Sequence, residues 1–412
     1  MKNKNNIIIG QSGGPTSAIN ATLAGIIRGA LESEKIDKIY GMLNGIQGVL
    51  NENIIFLNEI FKNGENLKLL KNTPAAALGS CRFKLPAVGS HLQKDILLYE
   101  KIFDFLEEKD IKYLFYIGGN DSMDTLKKLS FYAEKNNKNI KTIGLPKTID
   151  NDLSGTDHSP GYGSAAKYIA ATIQEICHDN MIYPLKSIVI VEIMGRDAGW
   201  LTAAAALPRL YGGKAPNFLY LPECEFSDEK FIADIEREFE KTQSIVIAVS
   251  EGIKYSDGKY VCEVSEKRDI DIFGHKQLSG TANHLKYLAA EKLGCKVRAI
   301  ELNTPQRCAS HIASLCDLNE AEEIGFKAVE AADENQSGIM MTFRRISSQP
   351  YKIAITHKKI SDIANKIKTV PLEYINGEKN NVTDECLIEL APLIIGEPEI
   401  IYNNGVPKFF VL

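Results

Sequence analysis

The sequence predicts an α/β protein with two doubly wound, Rossmann-like lobes, a cleft between them and a C-terminal extension. Three observations carry that expectation. Short β-branched apolar runs recur, clearest at residues 140–145 and 244–249, and each is too short to be a helix. Such runs close in polar turns rich in Gly or Pro and open into amphipathic helical patterns, the alternation of parallel βαβ units. The turns also gather Asp, Asn, Lys, Arg and Ser at the C-terminal ends of strands, the edge where open α/β sheets bind ligands.

Taken in order, residues 6–9 are a first strand. Gly10-Gln11-Ser12-Gly13-Gly14-Pro15-Thr16-Ser17 is a tight polar turn, and residues 18–32 are a helix marked by Ile19, Leu23, Ile26 and Ile27. Residues 38–42 make a second strand. Residues 112–117 make a third, ending at Gly118-Gly119-Asn120-Asp121-Ser122 before a helix to about residue 135. The strand at 140–145 stops at Pro146, which has no N–H for a ladder. A helix covers 164–178. A second alternating set starts at 187–193, with strands near 217–221, 244–249 and 297–301 and helices at 197–206, 228–241 and 281–293. The lobes meet near 157–163, which divides the chain into 1–160, 161–310 and an extension, 311–412. In that extension, residues 319–332 are helical and 338–344 strand-like. From about residue 361 it is irregular, holds Pro371, Pro392, Pro398 and Pro407, and is expected to wrap the lobes.

Composition narrows the class of function. At 412 residues the chain has ample core for two or three domains. Hydrophobic residues at 44% and charged residues at 25% are ordinary for a soluble globular protein. A net charge of −5 argues against a nucleic-acid partner, which usually meets a basic domain. No apolar run is long enough to span a membrane, and Ile7-Ile8-Ile9 is too short for a signal-peptide core. Eight scattered cysteines without a C-x-x-C pair read as reduced thiols of a cytoplasmic protein. Seven histidines show no zinc spacing.

The chemistry lies in the turns. In Pro146-Lys147-Thr148-Ile149-Asp150-Asn151-Asp152, one cation, one hydroxyl and two carboxylates follow a strand end. This suits a general base beside a phosphate; a solvated Asp/Asn turn is the plainer alternative. The glycines of Gly10 to Ser17 let backbone N–H groups approach an anion at a helix N-terminus, with a plain structural turn as the alternative. The turn spells neither a Walker A loop nor a dinucleotide fingerprint. Gly118 to Ser122 repeats that logic, with side chains long enough to reach a magnesium or its waters, although Gly-Gly-Asn-Asp is equally good turn chemistry. In Met194-Gly195-Arg196-Asp197-Ala198-Gly199, Arg196 either clamps a phosphate bidentately or pairs with Asp197 or Glu192. Ser250-Glu251-Gly252 offers a carboxylate for sugar hydroxyls or a turn cap, and Arg298, Gln306 and Arg307 lie at and beyond a further strand end. Composition and spacing reach an α/β phosphotransferase or phosphate-binding enzyme and stop there.

Together these stretches resemble the phosphofructokinase family, in order and spacing, from about Asn6 to Arg307. The resemblance covers Gly10-Gln11-Ser12-Gly13-Gly14-Pro15 with Ala18-Ile19-Asn20, and Arg82 within Gly79-Ser80-Cys81-Arg82-Phe83. It continues through Gly118–Ser122, Thr148-Ile149-Asp150-Asn151-Asp152, Met194-Gly195-Arg196, Glu251, Arg298 and Gln306-Arg307. ATP-dependent members usually carry glycine where this chain has Asp121 and Lys147, whereas pyrophosphate-dependent members carry Asp and Lys, so the chain looks like the pyrophosphate type. Asp121 would occupy and repel the place of a nucleotide α-phosphate, and Lys147 would meet the transferring phosphoryl group.

The resemblance implies reversible, magnesium-dependent phosphoryl transfer from pyrophosphate to O1 of fructose 6-phosphate. Asp150 would be the base, with Lys147, Asp121 and Thr148 as its catalytic companions. Gly14, Arg82, Gly119 and Lys147 would hold pyrophosphate. Thr148, Ile149, Asp150, Met194, Gly195, Arg196, Glu251, Thr304 and Arg307 would hold the sugar phosphate, with Arg298 reaching from a partner subunit of a homodimer or homotetramer. Asn120 and Asp121 are the metal candidates. Three departures stand out. Asn120 replaces a frequent Asp, and an amide is a weaker cation ligand. Thr304 replaces a usual His or Tyr. Lys186 stands near the place of a second cross-subunit arginine, without its bidentate fork. Two other readings are an ATP-dependent enzyme of the same kind and a catalytically silent sugar-phosphate sensor.

Overall fold

A computed structural model describes residues 4–182, 184–264 and 278–412. Its first sheet contains β1 (Asn5–Gln11), β2 (Ile36–Met42), β3 (Ile54–Phe56), β4 (Ile111–Gly118) and β5 (Lys141–Pro146). The second sheet contains β6 (Ser187–Ile193), β7 (Phe218–Tyr220), β8 (Ser244–Ser250) and β9 (Lys296–Glu301). The chain then returns to the first sheet with β10 (Ile339–Ser348) and β11 (Tyr351–Lys359).

The first sheet has seven strands in the order β11-β10-β5-β4-β1-β2-β3. All its pairings are parallel except those of the two edge strands, β3 on β2 and β11 on β10. The second has four parallel strands in the order β7-β8-β6-β9. Central strands such as β1 and β6 are buried along nearly their whole length, as continuous Ile/Val runs require when helices cover both faces.

Strand order reverses between β1 and β4 in the first lobe and between β6 and β9 in the second. At such a switch point successive connections leave on opposite faces, and a crevice opens beyond the strands' C-terminal ends. The polar turns singled out in the sequence sit at these two places.

Residues 311–412 do more than wrap the lobes. The helix Leu315–Asp333 lies on the helix Ile19–Glu32 with backbones almost touching. A Cβ on Gly25 would fall 1.9 Å from the Glu322 carbonyl oxygen, and one on Gly325 would fall 2.2 Å from that of Thr22. Only glycine admits this approach. β10 then pairs with β5, so the last quarter of the chain completes the first sheet.

Two local expectations change. Residues 197–206 do not form one helix. A turn through Gly199 precedes the short helix Trp200–Ala204 and a 3-10 turn, Leu207–Tyr211. The carboxylate of Glu223 takes the Gly199 N–H at 2.8 Å, and Pro208 has no N–H to continue the helix. The helices Glu65–Asn72 and Gln93–Glu108 and the edge strands β3 and β11 are additional to the sequence reading. All eight cysteines are free thiols. Among the described residues, no helix is long and apolar enough to cross a membrane.

Candidate active site

A cleft of about 540 Å³ opens where the two switch points face each other. The loop after β1 contributes Gly13, Gly14 and Pro15, and the loop after β4 contributes Gly119, Asn120, Asp121 and Ser122. The loop after β5 supplies Lys147 to Asp150 and Asp152, and Arg82 lies on the same wall. From the second lobe come Met194, Arg196, Asp197, Ala198, Glu251 and Arg307.

Lys147 is held in place within the first lobe. It is buried, and its Nζ donates to the Gly14 carbonyl at 2.6 Å. Gly13 makes room for it: with φ at +78°, it holds a backbone conformation that side chains rarely adopt, and its ideal Cβ would lie 3.3 Å from that Nζ. Burial lowers the Lys147 pKa to about 8, against the opposing pull of Asp150 and Asp152. Lys147 N–H also donates to the Gly118 carbonyl, so three strand-end loops are stitched together.

Beyond Lys147 the chain turns sharply. Asp150 N–H donates to Thr148 Oγ1 at 3.1 Å, and Asn151 adopts a left-handed φ of 54°. Asparagine tolerates that region better than most residues. The turn aims Asp150 into the cleft and Asp152 toward Asn120, whose Nδ2 donates to Asp152 Oδ2 at 3.1 Å. Burial, then the neighbouring Asp152 charge, push the Asp150 pKa up to about 7, while Arg196 and Lys147 pull the other way. Burial raises Asp152 as well. A carboxyl group poised near neutrality beside two cations is suited to taking a proton from an alcohol.

The second lobe presents a different surface. Met194 N–H donates to Gln306 Oε1 at 3.2 Å, and Ser250 Oγ donates to the Gly195 carbonyl at 2.6 Å. Gly195 is therefore backbone behind the cleft, and its N–H points to Glu251 Oε1 at 3.4 Å. Burial, then Asp150, raise the Glu251 pKa to about 8. Arg196 lines the cleft. Beside it, Asp197 faces Lys254 at 3.6 Å, and Glu192 accepts from Gly280 and Ala282 N–H at the start of the helix Thr281–Leu293. Arg307 reaches across to the first lobe, where its Nη1 would lie 3.6 Å from a Cβ on Gly14. Its buried Nε has no hydrogen-bond partner in the protein, nor does Gln306 Nε2. Orphaned donors around a cleft are what an anionic ligand would satisfy.

Of the residues expected at the site, Gly14, Arg82, Gly119, Asn120, Asp121, Lys147, Thr148, Ile149, Asp150, Met194, Arg196, Glu251 and Arg307 come together. Thr304 does not line the cleft; it precedes the short helix Pro305–Cys308. Arg298 lies elsewhere, with Lys186, in a separate recess of about 380 Å³, its guanidinium 3.6 Å from Asp179. Sequence reasoning missed Asn365 and Ile367, which line the cleft from the C-terminal third. It quoted Asp152 without giving it a role. No spacing signal marks Asn365 and Ile367, because the segment holding them reaches the cleft only through tertiary contacts.

The oxygens that suit a hard cation are limited. Asn120 Oδ1 is buried without a partner, beside Asp121 and Asp152. Among the described residues, no group of three or more His, Cys, Asp or Glu is arranged to hold a metal. Magnesium commonly combines one or two carboxylates with substrate phosphates and water, and the residues fit that mode.

A family model described as phosphofructokinase matches residues 6–331. The pyrophosphate–fructose 6-phosphate 1-phosphotransferase of Halomonas elongata is 38% identical over 98% of this chain and 95% of its own. The enzyme of the same name from Methylococcus capsulatus is 36% identical over 99% of this chain and 96% of its own. The pyrophosphate-dependent phosphofructokinase of Nitrosospira multiformis superposes with a TM-score of 0.88 at 35% identity, covering 98% of this chain and 95% of that one.

Proposed function

The chain belongs to the phosphofructokinase family, and from that premise we propose that its cleft carries out reversible phosphoryl transfer from pyrophosphate to O1 of fructose 6-phosphate, giving fructose 1,6-bisphosphate and phosphate. One observation carries the reading. Asp150, with its pKa raised to about 7, lies between the Lys147–Gly14 end of the cleft and the Glu251–Arg196 end. A base belongs at that midpoint, because the attacking hydroxyl lies between the donor's phosphate and the body of the sugar.

Pyrophosphate lies in the first lobe, against the loop after β1 and beside Gly119, Arg82 and Lys147. Lys147 brings positive charge to the transferring phosphoryl group, where charge in a water-poor site acts most strongly. Asp121 fills the space a longer nucleotide donor would need. Sugar phosphate lies in the second lobe, with Glu251 taking a sugar hydroxyl and Arg196 and Arg307 meeting its phosphate. Asp150 accepts the O1 proton as that oxygen attacks, and Thr148 hydrogen-bonds the transferring group. Asn120 Oδ1 and Asp121, with Asp152 behind them, would hold magnesium on the donor's oxygens, where it would supply charge neutralisation. The enzyme works in the cytoplasm as a homodimer or homotetramer, with Arg298 completing the sugar-phosphate site of a partner subunit.

The deciding experiment is fructose 6-phosphate turnover with pyrophosphate and with ATP, each with magnesium. Turnover with pyrophosphate and little with ATP is expected. A preference for ATP, or tight sugar binding without turnover, overturns the reading.

A further inference from the structure

The segment after β11 crosses from one lobe to the other along the edge of the cleft. Ile367 forms an antiparallel bridge with Leu153, and Lys368 N–H donates to the Asp152 carbonyl at 2.8 Å. Trp200 Nε1 donates to the Lys368 carbonyl at 3.0 Å. Two residues on, Val370 N–H donates to Glu223 Oε1 at 2.8 Å, the same oxygen that takes the Gly199 N–H. One strap therefore touches the proton-accepting turn of the first lobe and the Met194–Gly199 loop of the second.

The side chain of Lys368 points inward. Its Nζ donates to Asn151 Oδ1 at 3.1 Å and to the carbonyls of Thr156 and Asp157 at 3.3 and 2.6 Å. An ammonium has three protons, and all three are spent on neutral oxygens. Two of these acceptors lie where the chain runs toward the second lobe. The third belongs to Asn151, the left-handed residue between Asp150 and Asp152.

We propose that Lys368 is a positioning residue for phosphoryl transfer: it holds the Asp150-Asn151-Asp152 turn against the inter-lobe crossover, so that Asp150 faces the attacking hydroxyl. Asn151 holds a left-handed φ of 54°, and such a turn stays put only when its surroundings over-determine it. An error of about 1 Å in the position of a catalytic group costs a rate factor of roughly 10². The effect should fall on the chemical step, because none of the three acceptors belongs to Arg196, Glu251 or Arg307, which meet the sugar phosphate.

The inference rests on Asp150 acting as the base, and the test separates the two. Lys368→Met is compared with the parent and with Lys368→Arg for turnover number, both half-saturating substrate concentrations and melting temperature. In folded Lys368→Met, the turnover number should drop at least tenfold while both half-saturating concentrations stay within about threefold, and Lys368→Arg should recover most of the loss. Unchanged turnover in folded Lys368→Met overturns the positioning role. So does a uniform worsening of all parameters that Lys368→Arg fails to relieve. If Lys368→Met does not fold, Asn151→Gly is measured instead: it keeps the left-handed φ and deletes one acceptor. It should lower turnover with little change in substrate affinity, and full activity overturns the proposal. A parent without pyrophosphate-dependent turnover would sink the reading of Asp150 first.

Discussion

Lys147 and Gly14 lie 133 positions apart in the chain, yet the ammonium of one and the carbonyl of the other meet at 2.6 Å. That bond ties the end of β5 to the loop after β1 and places a buried cation beside the backbone N–H groups expected to face pyrophosphate. Donor choice follows from it. Lys147→Gly should lower turnover with pyrophosphate by a factor of roughly 10²–10³, the usual cost of removing one transition-state contact. Asp121→Gly should instead raise turnover number over half-saturating concentration with ATP. No change in ATP use in folded Asp121→Gly would remove Asp121 from donor selection.

Asp150→Asn keeps shape and polarity and removes proton acceptance. The turnover number should fall by at least roughly 10², with the half-saturating fructose 6-phosphate concentration little changed. Steady-state kinetics of the purified variant checks this, and activity within a few-fold of the parent would point to another base.

The same group sets a pH dependence. Asp150 must be ionised to accept a proton, so turnover number over half-saturating concentration should decline as pH falls through about 7. Stability has the opposite sense. A carboxyl raised from 3.8 to about 7 on folding favours the protonated folded state, so its contribution is present at low pH and lost as pH rises through that window. Asp150→Asn should melt higher than the parent at pH 8, with the difference shrinking toward pH 4.

His158 gives a second titration. It is buried between Asp157 at 2.9 Å and Glu320 at 2.7 Å and stacks on Phe343, and Arg345 Nη2 donates to the same Asp157 oxygen at 2.9 Å. Burial alone would lower its pKa, but Glu320 and Asp157 overcome that and raise it from 6.5 to about 9. Its stabilisation is complete below 6.5 and lost as pH rises through about 9. The parent's melting temperature should therefore fall between those values, and His158→Gln should melt lower at pH 6 with a flatter slope above it.

Arg298 lies outside the cleft in a single chain, with Asp179 and Lys186 in its own recess. If it completes a partner's sugar-phosphate site, Arg298→Ala should raise the half-saturating fructose 6-phosphate concentration and leave that for pyrophosphate nearly unchanged. A parent that is monomeric and fully active by sizing would exclude the role.

The parts of the fold legible in the sequence were those governed by local chemistry. β1, β5, β6 and β8 are continuous apolar runs, and their polar turns stand where switch points bring them together. Lys147, Asp150, Arg196 and Glu251 could be found because each follows such a run directly. What escaped depends on long-range geometry. Edge strand β11 is half-exposed and gains its order from β10. Asn365, Ile367 and Lys368 lie in a stretch with no periodic pattern, and their place at the cleft follows from the return of the chain past residue 311. The helix expected at 197–206 failed because Glu223, more than twenty residues later, takes the Gly199 N–H.

The return of the chain also has a consequence for the order of assembly. All four strands of the second sheet lie between residues 187 and 301. The first sheet cannot close so early: β5 receives its outer neighbour only when residues near Ile339 pair with Ile143 and Gly144. During synthesis from the N-terminus, the half begun first is thus finished last. Until then one flank of β5 is an open edge, and the glycine-lined face of the helix Ile19–Glu32 has no partner helix. A chain truncated near residue 310 would carry all four strands of the later sheet and an unfinished earlier one, exposing a strand edge of the kind chaperones cover.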